Sequence, residues 1–169
     1  MKRERIASVG ILSALALALY WFESMFSLGM PLPGVRLGLS HVVTIFTIWI
    51  LNARAGGIVL LIRIFLGALL SGNFGKIFYS AAGGLLAYIA MAGLRQVVKE
   101  NQIWMLGCLG AIAHGIGQLI VAVWMSGTSW LVLYLPILLV CCMLTGLFTG
   151  LCAQLLIKKG SHVWKTIFK

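Results

Sequence analysis

The chain is nearly without acid. Among 169 residues only Glu4, Glu23 and Glu100 are acidic, there is no aspartate, and charged residues of both signs make up 9%. Three isolated carboxylates form no cluster able to hold Mg²⁺ or to divide general acid and base work, so catalysis that depends on such clusters is excluded. The four cysteines, Cys108, Cys141, Cys142 and Cys152, lie in apolar runs with no C-x-x-C or Cys/His metal spacing. Neither a disulfide framework nor a metal site follows from them, and they read as small apolar packing residues. The G-x-x-x-x-G-K-[ST] nucleotide loop is also missing.

What the chain has in abundance is hydrocarbon. Hydrophobic residues make up 62% and the mean hydropathy is +1.07, far from the soluble average of about 25% charged residues. The composition predicts an all-α integral membrane protein, a single six-helix bundle over residues 1–169 with no separate aqueous domain. Spans are expected near 6–28, 37–51, 56–72, 77–94, 102–125 and 131–157. MKRER followed by an apolar run resembles a signal peptide, but the run is too long and no small-x-small cleavage site follows, so it is read as the first span.

The formal charge of +10 suggests nucleic acid only until the charges are placed. With the N-terminus inside, Lys2, Arg3, Arg5, Arg54, Arg95, Lys99, Lys158, Lys159, Lys165 and Lys169 fall on the cytoplasmic side. Only Arg36 and Lys76 fall outside, with Arg63 intramembrane, and the positive-inside rule selects this arrangement. Trp21, Trp49, Trp104, Trp124 and Trp130 stand near span ends, as an aromatic belt requires. A multi-pass cell-membrane protein with both termini cytoplasmic and no nucleic-acid partner is expected.

Polar residues inside so apolar a chain are the candidates for function, because each costs free energy in hydrocarbon unless it faces protein or a wet cavity. Arg63 lies inside an apolar run, with Arg36, His41, Ser71, Asn73, Lys76 and Tyr79 around it. It binds an anion or ligand, or it is a structural arginine held by carbonyls and polar side chains of other spans. Glu23 closes the first span, and with Arg36 it flanks SLGMPLPGVRLG, a loop of two prolines and three glycines. That loop is a cap over an outward-facing pocket or a plain surface turn, with Glu23 and Arg36 placed to pair across it. In AIAHGIGQ, His114 and Gln118 stand one helical turn apart on one face. Pro136 is expected to kink or loosen the last span, and Gly146 and Gly150 form a close-packing motif. Gly10, Ala14 and Ala18 recur every four residues, a stripe of small side chains that serves internal packing or docking of another membrane protein.

Glu23, PGVRLGLSH, Arg63 with GALLSGN, YSAAGGLLA, AHGIGQ and YLPILL, in that order, resemble the Gx transporters, a family labelled heptaprenyl diphosphate synthase component I. That family resembles the substrate-binding S components of energy-coupling factor (ECF) transporters. The resemblance covers about residues 6–157. One departure is visible, since the family typically has Asn where His41 and Gly115 stand. What it implies is an S component that binds a vitamin- or cofactor-like small molecule from outside and is not itself an enzyme or a holder of cofactors or metals. Read from the polar residues themselves, the ligand-binding candidates are Glu23, Arg36, His41, Arg63, Asn73, Tyr79, His114 and Gln118. Such an S component would work with a transmembrane T component and cytosolic ATPases, docking through Ala14 and Ala18. The alternative is a non-catalytic membrane partner of a prenyl diphosphate synthase or an electron-transfer complex.

Overall fold

In hydrocarbon every backbone N–H and C=O needs an internal partner, and a chain this apolar meets that need with helices. The computed structural model describes residues 3–26, 38–72 and 75–167. It contains six α-helices, α1 (Arg3–Phe26), α2 (Leu39–Ile50), α3 (Ala53–Ser71), α4 (Gly75–Leu94), α5 (Trp104–Ser126) and α6 (Leu135–Ile167), and among the described residues no strand. Short 3₁₀ turns at Glu100–Gln102 and Ser129–Tyr134 precede α5 and α6. Five of the six helices are long and apolar enough to cross a membrane.

The second helix is different. Its 12 residues reach about 18 Å, against a hydrocarbon core of about 30 Å. Every residue from Ser40 to Ile48 is buried, the polar Ser40, His41, Thr44 and Thr47 among them. It touches each of the other five helices, while α1, α3, α4, α5 and α6 follow one another around it by their neighbouring contacts. Its last carbonyls are met from the turn that follows α4: Arg95 donates from Nε to Ile48 O at 2.9 Å and from Nη2 to Trp49 O at 3.2 Å, with the guanidinium over the Trp49 ring at 5.4 Å. A cation there also suits the negative end of the α2 dipole.

Only Leu51 and Asn52 separate α2 from α3. The turn is closed by the Asn52 side chain, which accepts the Ala55 N–H at 2.8 Å and caps the new helix. Backbones meet directly where α5 crosses α6. A Cβ on Gly107 would lie 2.4 Å from Gly146 O, and one on Gly150 would lie 2.4 Å from Trp104 O. The Gly146 and Gly150 spacing read in the sequence lies in this crossing.

Two expectations change. Pro136 was expected to kink a span, yet it is the second residue of α6, where its fixed φ suits a helix start and its missing N–H is no loss. The basic tail continues α6 to Ile167, ten residues beyond the expected end of that span.

Candidate functional site

Polar side chains from all six helices converge near the end of the bundle where α1 stops and α2 starts. They surround a cavity of about 30 Å³, and five of the residues singled out in the sequence line it: Glu23, His41, Arg63, His114 and Gln118. Glu23, His41, Arg63 and Gln118 are all buried, Arg63 with 3% of its surface exposed. The register of each helix makes this possible. Tyr20 and Glu23 lie one turn apart on the inner face of α1, and His114 and Gln118 do the same on α5.

Arg63 projects from the middle of α3 toward α2 and donates from Nη1 to Ser40 Oγ. Its guanidinium carbon lies 5.7 Å from the centre of the Tyr20 ring, a cation–π arrangement. His41 and His114 meet edge to face, with ring centroids 4.7 Å apart and planes at 76°. One carboxylate oxygen of Glu23 accepts the Gly38 N–H at 2.5 Å, which ties the end of α1 to the start of α2. Gly38 takes φ +74° there, the left-handed conformation that glycine adopts without strain.

Glycine also makes room for the imidazole and amide. A Cβ at Gly83 of α4 would lie 2.8 Å from His114 Cε1 and 3.0 Å from Gln118 Cγ. The gap in α4 is filled by these two side chains. Among the described residues His41 Nδ1 and Gln118 Oε1 are buried with no hydrogen-bond partner. A buried polar atom in that state costs about 1–3 kcal/mol.

Tyr79 stands apart from the main cavity. With Tyr134 and the apolar Leu119 and Leu138 it lines a second cavity of about 20 Å³, which Gln118 also borders. Arg36 and Asn73, and with them the pairing of Arg36 with Glu23, lie outside the described residues. Gly10, Ala14 and Ala18 are exposed on the outer face of α1. Sequence reading missed Tyr20, Ser40, Ser80, Cys142 and Thr145, which also line the main cavity. Tyr20 had a signal, one turn before Glu23, and Ser40 stands beside His41.

The site offers a permanent cation, hydroxyl and imidazole groups that donate or accept, and a primary amide. Together with the Glu23 carboxylate, this set can donate and accept hydrogen bonds and pair with charge. Among the described residues no group of three or more His, Cys, Asp or Glu is arranged to hold a metal ion. The family described as heptaprenyl diphosphate synthase component I matches residues 12–156. No curated protein and no solved structure matches the chain.

Proposed function

Since the chain belongs to the heptaprenyl diphosphate synthase component I family, we propose that it is the membrane-embedded binding part of a larger assembly and not a catalyst. In this reading it takes a small molecule with an anionic group into the Arg63 cavity. It serves uptake of the ECF type, with a transmembrane T component and cytosolic ATPases as partners. The observation that carries the reading is the convergence of Glu23, His41, Arg63, His114 and Gln118 on one cavity inside an otherwise apolar bundle.

Arg63 supplies the charge that an anionic group needs, and His41 Nδ1 and Gln118 Oε1 are buried polar atoms that a ligand would satisfy. A cavity of about 30 Å³ holds little more than a water molecule, and pockets for cofactor-sized ligands measure roughly 300–1,000 Å³. Binding therefore requires the helix ends around the cavity to move apart. Prenyl transfer is a poor fit for this chain alone, because that chemistry holds diphosphate-bound Mg²⁺ on clustered carboxylates and only three acidic residues exist.

The family description favours one other reading, a non-catalytic membrane partner of a prenyl diphosphate synthase. Purification of the tagged chain under mild solubilisation separates the two. Co-elution of a T component with ATPases supports uptake, and Leu at both Ala14 and Ala18 should then remove those partners, because bulk on this exposed face blocks helix approach. Co-elution of a soluble synthase in their place supports the second reading.

A further inference from the structure

On the other side of α2 from the histidines lies a larger space of opposite character. Helices α1 and α6 both pack on α2 but, among the described residues, not on each other. Between them runs a groove of about 300 Å³. Val43 and Phe46 of α2 form its floor, and Ile11, Leu12 and Leu15 of α1 with Leu156 of α6 form its walls. The floor is buried, while Ile11, Leu15 and Leu156 are about half exposed or more, so the groove opens sideways.

We propose that this groove seats one acyl chain of an anionic phospholipid whose phosphate is held by Arg5 and Lys159. Charge complementarity selects this occupant. Arg5 precedes Leu12 by seven residues and so lies on the same face of α1, two turns toward its start. Lys159 follows Leu156 by three and lies on the same face of α6, one turn toward its end. Both basic residues are exposed, and both flank the same end of the groove: Glu23 of α1 and Thr149 of α6 both lie against Gly38, so past Leu156 helix α6 runs toward the start of α1. An apolar slot closed by two cations at one end matches a lipid with a negative head, and basic sites between helices are known to recognise such heads. Because α1 and α6 stand apart on either side of α2, a chain in the groove gains contacts on three sides where a chain on a flat helix face gains them on one.

The test is native mass spectrometry of the full chain released from mixed micelles holding equal phosphatidylglycerol and phosphatidylcholine. One lipid should be retained per protein, with phosphatidylglycerol favoured by roughly fivefold or more. Leu15→Trp, which fills the groove from its rim, should abolish retention of both lipids. Arg5→Gln with Lys159→Gln should keep a lipid but bring the ratio near one. A circular-dichroism thermal scan checks that each variant folds, and Ile11→Trp replaces Leu15→Trp if that variant does not. Equal retention of the two lipids by the native chain, or retention unchanged by the tryptophan, overturns the proposal. A dimer mass lost on Leu15→Trp also overturns it, by assigning the groove to a second copy.

Discussion

A guanidinium in the middle of a membrane helix keeps its charge, because it does not lose its proton at any ordinary pH. In α3 that charge is turned inward, onto Ser40 Oγ and the Tyr20 ring. Ser40→Ala removes an acceptor from a charged donor in a buried setting, which typically costs roughly 1.5–3 kcal/mol. The expected outcome is a lower thermal midpoint in detergent, and an unchanged midpoint would show that Arg63 is held by other groups. Why Arg63, His41, His114, Gln118 and Glu23 were legible from sequence while Ser40 and Thr145 were not has a physical answer. A charge, imidazole or amide in an apolar run has no local way to hide, so its presence is a signal. A hydroxyl does have one. Thr47 Oγ1 donates to Val43 O at 2.7 Å, Ser13 Oγ to Val9 O at 2.7 Å and Thr145 Oγ1 to Cys141 O at 3.0 Å, each one turn back along its own helix. A serine or threonine in a membrane helix therefore says nothing by itself, and only the fold shows which one meets the arginine.

At the scale of helices, six segments were legible because hydrocarbon admits few alternatives, and their ends lie within a few residues of the caps except at the tail of α6. Less legible was the role of α2, whose short apolar run does not by itself reveal that five neighbours cover it. The Pro136 error has the same origin: proline marks a helix start and a helix kink alike, and the turn at Ser129–Tyr134 decides between them. Of the α5 and α6 crossing, sequence spacing exposed Gly146 and Gly150, while their partner Gly107 required the structure. Gly150→Val would press a branched side chain on the Trp104 carbonyl, where even a Cβ would lie at 2.4 Å. Overpacking of this kind costs about 1–3 kcal/mol or more, and thermal unfolding should show it. Gly10→Ala is the control, since a Cβ there has nothing within 4 Å and alanine favours a helix interior over glycine, so its midpoint should equal or slightly exceed that of the native protein.

For the whole molecule, the ten-to-two placement of basic residues predicts that both termini face the cytoplasm and the turn at Thr128 faces out. A cysteine at exposed Thr128 should react with an impermeant maleimide in intact cells, and reaction only after permeabilisation would reverse the orientation. With that orientation the polar cavity lies in the outer half of the bundle, near the end of α1 and the start of α2, on the side from which a substrate would arrive. In the same orientation the Arg5 and Lys159 end of the apolar groove would lie on the cytoplasmic side. Binding of a small molecule in the cavity through Arg63 is open to equilibrium titration. The molecule that stays with the gently solubilised protein is first identified by mass, then titrated into the native chain and into Arg63→Gln, each also followed by thermal unfolding. Glutamine keeps a hydrogen bond for Ser40 but loses the charge, so the variant should fold while its affinity for that molecule falls about 10- to 100-fold, the loss of one charge-assisted contact. Full affinity in Arg63→Gln, with a large fall in the thermal midpoint, would contradict it and leave Arg63 a structural strut.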